Sequence, residues 1–345
     1  MSAGYQALLD VQRKGLAAIT AAAPDATTRA EGVAYLTRLS ASIMERSLPA
    51  PSASTAAFGY NRFPMAGANP DCRMGQMQLD PQAHYLIEGV RHGADRIAFG
   101  LYTPRPGAGL DLDDYLNLEA LELSPDGHFR LAIEASPVGA ATSQSGRPLG
   151  MKATTRVLMV REIYRRRSAP RAEISVDRSE GRDRSAPPEK TASTETRLRA
   201  TAAQIDALLH QYLHWSEVFA RRPNEMIQMP AELDDAVRGD PETRYFSGYF
   251  DLGEGDTLEV EIPEIACDYW MIQANNHWLE PIADAHRNDA TASPDVDGAT
   301  RIRISASAGD RANWLHTRNR SRGTLLYRTI GAGEAVVPEA RVVHP

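Results

Sequence analysis

Tyr269-Trp270-Met271-Ile272-Gln273-Ala274-Asn275-Asn276-His277-Trp278-Leu279-Glu280 is the stretch on which the fold of this chain turns. Its first half alternates as a strand does, with Trp270, Ile272 and Ala274 on one face and Tyr269, Met271 and Gln273 on the other. Its second half gives way to amides, an imidazole and a carboxylate, and His286 and Arg287 follow soon after. Polar groups gathered where a strand ends are common at binding and catalytic sites, because the sheet holds them rigidly while loops stay open. The same stretch has a fainter counterpart earlier in the chain, and that duplication predicts the architecture.

Two β-rich segments repeat one order of events. Tyr85 to Val90 and then Ile97 to Tyr102 match Leu258 to Ile262 and then Tyr269 to Gln273. Asp126-Gly127 followed by Phe129-Arg130-Leu131-Ala132-Ile133 matches Asp297-Gly298 followed by Thr300-Arg301-Ile302-Arg303-Ile304. Thr155 to Arg161 matches Thr324-Leu325-Leu326-Tyr327-Arg328. The separation stays near roughly 170 residues throughout, the mark of a tandem repeat. The expected fold is mainly β with flanking helices: two tandem jelly-roll or β-sandwich-like modules, plus N-terminal and central helices. Within the first module, Tyr85 to Val90 and Arg96 to Tyr102 look like paired strands around Gly93. Residues 118–123 and 129–133 look like a hairpin across the Pro125-Asp126-Gly127 turn.

Outside the repeat, the first 48 residues read as two helices. Leu8, Leu9, Val11, Leu16 and Ile19 recur at helical spacing before Pro24-Asp25 interrupts them; Val33, Leu36, Leu39 and Ile43 follow, with Thr28 as the expected N-cap. Residues 49–57, rich in Pro, Ser and Ala, read as a linker. Residues 165–195, crowded with charge, read mostly as an exposed mobile loop into which Ile174 and Val176 extend a strand. Leu198, Ala202, Ile205, Tyr212 and Phe219 form the clearest helical stripe, and Pro223 ends it. The expected organisation is a helical segment at 1–48, a β module at 58–178, a flexible linker at 179–196, a helix at 197–223 and a second β module at 240–345.

The 345 residues suffice for two domains, and 42% hydrophobic with 24% charged residues is ordinary for a globular chain. A net charge of -7 argues against nucleic-acid partners, which need a basic face. Two cysteines, Cys72 and Cys267, exclude a disulfide framework and a cysteine zinc site, and read as reduced, packed thiols. Asp10, Arg13 and Lys14 break any signal-peptide core, and no apolar run approaches the ~20 residues that span a bilayer. The cytoplasm is the expected location, with no membrane partner. No GxSxG elbow, phosphate loop or strand-coupled GxGxxG occurs, so serine hydrolase, P-loop and dinucleotide-fold readings lack support, and no cofactor is expected.

With Trp270, Gln273, Asn276-His277-Trp278, Glu280, Asp297-Gly298, Asn313-Trp314-Leu315 and Arg328, the C-terminal half resembles a bacterial family known as domain of unknown function 1214. That family's pattern runs roughly YWxxQ, NHWxES, a DG turn, NWLDT and a final strand carrying Arg. Asn69-Pro70-Asp71 and Glu31-Gly32-Val33-Ala34-Tyr35-Leu36 also look like its longer members. The resemblance touches most of the chain and is specific over residues 257–329. Pro281 stands where Ser is usual, Ala312 where Pro is usual and His316 where Asp is usual. The resemblance implies a jelly-roll-like architecture and no agreed activity; members accompany lipid, steroid or aromatic catabolism genes.

His277, Glu280 and His286 are the candidate catalytic residues, since a histidine beside a carboxylate can act as a general base. Arg287 is placed to hold an anionic substrate or to pair with Glu280. Trp270, Gln273, Asn276, Trp278, Asn313, Trp314 and Arg328 complete the candidate substrate site. The structural alternative packs Trp278, satisfies His277 against backbone, uses Asn313 as a loop anchor and makes a salt bridge of Glu280 and Arg287. Two histidines and a glutamate at 277, 286 and 280 also suit a facial triad, but at a spacing tied to no known site, so no metal is assigned. His210, His214 and Glu217 share a helix face and read as surface groups. Tyr60-Asn61-Arg62 reads as the start of a strand.

The leading expectation is an enzyme using acid–base chemistry on a small apolar or anionic metabolite, as lyase, isomerase or hydrolase, in a possible homo-oligomer. The alternative is a non-catalytic binding protein for a small molecule or carbohydrate, with Trp270, Trp278 and Trp314 lining the pocket. Catalysis requires His277 within hydrogen-bond reach of Glu280, His286 or a metal; binding requires only a concave wall.

Overall fold

The computed structural model describes residues 2–48, 58–63, 65–105, 109–121, 123–135, 148–179, 193–237, 239–307 and 313–345. The chain divides into two compact units: Met1–Leu8, Ser42–Arg62 and Asp71–Gln204 make one, and Leu9–Ala41, Phe63–Pro70 and Ile205–Pro345 make the other. Two helices open the chain, α1 (Ala3–Ala22) and α2 (Ala26–Ser47). The N-cap of α2 is Asp25 rather than Thr28: its Oδ1 accepts the Thr28 N–H at 2.8 Å, and these backbone donors hold its carboxyl below the usual range. Asp is as good a cap as Thr, and Pro24 before it had already stopped α1. The expected linker at 49–57 lies outside the described residues.

The first unit contains β1 (Gly59–Tyr60), β2 (Cys72–Gln78), β3 (His84–Val90), β4 (Arg96–Pro104), β5 (Leu110–Asn117), β6 (His128–Ala135), β7 (Leu149–Met151), β8 (Val157–Ile163) and β9 (Glu173–Ser179). One sheet runs β1-β2-β8-β4-β5 and the other β7-β6-β3-β9. Ile87, Ile97, Phe99, Leu101, Ile133 and Leu158 are fully buried within it. Each such side chain contributes about 1.5–3 kcal/mol.

α3 (Thr194–Ala220) starts with the Ser193 Oγ accepting the Thr196 N–H, and its Ile205, Leu209, Tyr212 and Phe219 are buried. After it come β10 (Met226–Gln228), α4 (Ala231–Val237), β11 (Thr243–Asp251), β12 (Thr257–Ile262), β13 (Tyr269–Asn275), β14 (Pro281–Asn288), β15 (Thr300–Ser305), β16 (Trp314–His316), β17 (Arg322–Ile330) and β18 (Glu339–Val343). Their sheets run β10-β11-β17-β13-β14 and β16-β15-β12-β18. Adding nine to each strand number of the first unit gives the second unit's order in both sheets. Even the short parallel pair recurs, as β6 with β7 and β15 with β16. The chain is therefore two β-sandwich modules of one topology, with N-terminal and central helices.

Two local expectations need correcting. Residues 85–90 and 96–102 do not pair: β3 bonds to β6 and β9, whereas β4 bonds to β5 and β8. The turn at Arg91 to Asp95, with His92 at φ 46°, carries the chain from one sheet to the other, and sequence adjacency misleads wherever strands alternate between layers. Leu118–Ala120, expected in a strand, is a 3-10 turn, and the strand precedes it as the acidic β5. Acidic side chains read as loop, yet Asp113 Oδ2 accepts from Thr103 and Thr155 hydroxyls at 2.6 and 2.7 Å and Asp114 accepts the Gly150 N–H, which suits a sheet edge. The strand expected through Ile174 and Val176 is β9, Glu173–Ser179, each residue matched to β3. Its continuation at 180–192 lies outside the described residues.

Candidate functional site

The run at 269–280 is a strand and a hairpin loop. β13 ends at Asn275, and Asn276 to Glu280 turn the chain into β14: the Asn276 N–H donates to the Glu280 carbonyl at 2.9 Å, and Leu279 sits at φ 61°. Asn276 is the organiser of this loop. Its Oδ1 accepts the N–H groups of Trp278 and Glu280, each at 3.0 Å, while its Nδ2 donates to Glu280 Oε2.

Three side chains of this loop then anchor the N-terminal helices within the second unit. Trp278 is 1% exposed, stacks on Tyr35 at 6.1 Å and donates its indole N–H to the Thr28 carbonyl at 2.8 Å. Gly32 makes room for it, since a Cβ there would lie 2.4 Å from Ile19 and 2.7 Å from the indole. Glu280 receives a two-pronged guanidinium, Arg38 Nε to Oε1 at 2.6 Å and Nη2 to Oε2 at 2.8 Å, which holds Arg38 further toward its charged form. His277 is buried, its Nδ1 lies 2.8 Å from the Tyr249 hydroxyl, and it makes a second hydrogen bond to the backbone of Ala22. A carbonyl can only accept, so the ring donates to Ala22 and accepts from Tyr249. Burial depresses the imidazole pKa to about 4 and pushes the Tyr249 phenol up to about 12, so both are neutral near pH 7.

The acid–base pair expected from the sequence is therefore not assembled. Glu280 is spent on Arg38 and Asn276, and His277 on Tyr249 and Ala22. His286 stands on β14 opposite Gln273, and the expected bridge from Arg287 to Glu280 is replaced by bonds from Arg287 to the carbonyls of His286 and Trp314. Burial lowers the Arg287 pKa, which the nearby Asp284 carboxylate offsets in part. No group of three His, Cys, Asp or Glu among the described residues is placed to hold a metal ion. His210 and His214 lie exposed on α3, His210 3.7 Å from Asp206.

The face of β13 bearing Met271 and Gln273 carries a second network. Arg328 on β17, 8% exposed, donates to Gln273 Oε1 at 2.8 Å, to the Gly67 carbonyl and to Met271 Sδ, and lies 5.7 Å from the Tyr245 ring. Gln273 passes its own N–H bonds to Asn275 Oδ1 and the Ala68 carbonyl, and Asn275 reaches Thr324. The residues just before Pro70 thus strap this face, with Asn69 bonded to the Tyr269 hydroxyl. Gly67, at φ 64°, is required: a Cβ would fall 2.1 Å from Leu326 Cδ1.

The three tryptophans do not converge. Trp278 faces the helices, Trp270 packs partly against the core of the second sandwich, and Trp314 on β16 bonds to Ser305 and the Ser307 carbonyl. Asn313 is a loop anchor, exchanging two hydrogen bonds with the backbone of Ser293 at 2.6 and 2.9 Å. Tyr60 belongs to β1 of the first module.

The sequence reading passed over a cleft at one end of the second module, of about 370 Å3, bordered among others by Gln228, Asp234, Glu242, Arg244, Tyr245 and Ala332. Arg244 is half-buried there, its Nε donating to the Ala332 carbonyl at 3.0 Å and its Nη2 to the Gly333 carbonyl at 3.1 Å. No carboxylate among the described residues is within ion-pair distance of it. Nothing in the sequence singles out Arg244 among so many arginines; only the fold of residues 331–333 over β11 fixes it.

No protein-family model matches the chain, and no curated protein does. Among solved structures, an uncharacterised protein from Burkholderia cenocepacia is similar at TM-score 0.85 and 25% identity, covering 99% of this chain and 96% of its own. The VPA0106 protein of Vibrio parahaemolyticus aligns at TM-score 0.45 and 15% identity over 89% of this chain and 98% of its own. The Burkholderia likeness extends over both modules and the helices. No helix among the described residues is long and apolar enough to cross a membrane.

Proposed function

We propose that this is a bacterial cytoplasmic binding protein for a small organic anion, held in the cleft at Arg244, and a member of the family of domain of unknown function 1214. The observation that carries the reading is the state of Arg244. Two backbone carbonyls fix its guanidinium in a cleft, and no carboxylate among the described residues lies within ion-pair distance of it. A preorganised guanidinium of this kind suits a carboxylate or phosphate that accepts its remaining donors. The cleft is the size of a small-metabolite site. Binding without chemistry is favoured over acid–base catalysis because His277 is neutral and doubly bonded, and Glu280 is locked in a salt bridge.

A thermal-shift screen of short organic acids and phosphate esters, followed by calorimetry, tests this. A saturable ligand should bind the wild-type protein and bind Arg244→Gln at least tenfold more weakly, with the melting temperature of the free protein retained. Equal affinity in both proteins would remove Arg244 from the site.

A further inference from the structure

Each module enters one of its strands through an acid, a spacer and an arginine: Asp71-Cys72-Arg73 at β2 and Glu242-Thr243-Arg244 at β11. The register makes the two triplets equivalent, with Arg73 opposite Glu162 and Arg244 opposite Thr329. The acids correspond as well. The Asp71 carbonyl accepts the Tyr164 N–H at 2.9 Å, and the Glu242 carbonyl accepts the Gly331 N–H at 3.2 Å. In the first module the triplet is closed: Asp71 is buried, and Arg73 lies 3.6 Å from the Glu162 carboxylate and 3.3 Å above the Tyr60 ring. In the second module a threonine stands in place of that carboxylate, and Glu242, Thr243 and Arg244 all border the cleft.

The bond to Gly331 continues the β11 ladder by one residue, so Glu242 and Arg244 leave the strand on the same face, about 7 Å apart. Asp234 on α4 brings a second carboxylate to the same cleft. Neither acid pairs with Arg244, whose hydrogen bonds go to the Ala332 and Gly333 carbonyls. Both acids are exposed, whereas Arg244 is half-buried, so the cation lies deeper than the two carboxylates. Both acids already make interactions, yet a carboxylate offers about four acceptor positions.

This charge arrangement selects among anions. A simple organic anion on Arg244 brings its charge beside Glu242 and Asp234, and like charges at that range repel. An ammonium one carbon away from the bound carboxylate turns the repulsion into attraction, and that pairing of groups is an α-amino acid. Met229, Pro241 and Ala332 also border the cleft and offer apolar surface to a short side chain.

We infer that the Arg244 cleft takes a small zwitterionic α-amino acid, whose carboxylate is received by Arg244 and whose ammonium is received by Glu242 with Asp234. The inference rests on the reading of Arg244 as an anion site and narrows the ligand class.

The test is calorimetric titration of the full chain with L-alanine and L-valine, each against the hydroxy acid of the same skeleton, L-lactate and 2-hydroxyisovalerate. The amino acids should bind saturably, and the hydroxy acids more weakly by about tenfold or more. Glu242→Gln should weaken the amino acids by a similar factor without weakening the hydroxy acids, and Arg244→Gln should weaken both. Glu242 is exposed, so its variant keeps the fold and the test remains decisive should Arg244→Gln lose stability. Hydroxy acids that bind as tightly as the amino acids, or amino acids indifferent to Glu242→Gln, would overturn the ammonium site and leave Arg244 as an anion site. Absence of saturable amino-acid binding would overturn the inference whatever other organic acids do. Amino-acid binding unchanged in a folded Arg244→Gln would bring down the anion reading, and this inference with it.

Discussion

The two modules share nine strands in one order, and they treat one equivalent arginine in opposite ways. Arg161 stands opposite Met74 and Ala98, and Arg328 opposite Tyr245 and Met271, at the same place in the two sheets. Arg161 is half-buried and donates to the Tyr102 hydroxyl at 2.8 Å. Arg328 is buried beneath the strap at Gly67 and feeds a chain of amides through Gln273 to Asn275. The scaffold was kept, and the covering segment decides what a given side chain does. A duplicated fold thus predicts position, whereas chemistry follows from what is laid over it.

The largest break in the comparison should come at Trp278, whose role in pinning α2 rests on the hairpin loop of the second module. Trp278→Ala should destabilise by about 3–5 kcal/mol, read as a fall in the midpoint of chemical denaturation. A loss below about 1 kcal/mol would show that the indole does not hold the helix.

Next comes pH. The imidazole of His277 has its pKa depressed by burial to about 4, below the ordinary 6.5 of an unfolded chain. Between those values the unfolded state binds the extra proton, so stability is full above about pH 6.5 and falls as pH drops toward 4. The contribution is on the order of 2–3 kcal/mol across that window. Denaturation midpoints measured from pH 7 to 4 should show the slope in the wild type and a shallower one in His277→Gln. An identical slope in both would place the titration elsewhere.

The smallest effect sharpens the arginine comparison. Arg328→Met leaves the Gln273 oxygen and the Gly67 carbonyl buried without a donor, at about 1–3 kcal/mol. Arg161→Met removes a half-exposed bond and should cost under about 1 kcal/mol. Equal losses from the two variants would mean that the strap adds nothing.

Much of the architecture was legible because it is written locally. Alternation in Leu258 to Ile262 and Tyr269 to Gln273, the Asp-Gly turns at Gly127 and Gly298, both at positive φ, and their common spacing are features of neighbouring residues. They sufficed for two β-sandwich modules with N-terminal and central helices. Among the strands that escaped, β2, β5 and β14 carry polar or acidic side chains whose partners lie far away in sequence, whereas β11 is largely buried. Asp113 bonded to Thr155 is one case.

The site divides the same way. That Asn276, His277, Trp278 and Glu280 matter together could be read from their crowding after a strand. Their work could not: a histidine three residues before a glutamate is a possible base by sequence, and only the hairpin turns one toward Tyr249 and the other toward Arg38. Arg244 gave no local signal at all. Sequence by itself determined the strand periodicity, the repeat and the helix stripes, since these depend on backbone geometry within a few residues. Tertiary structure alone decided which polar groups are satisfied and which stay open, because burial and hydrogen-bond partnership are properties of distant segments brought into contact.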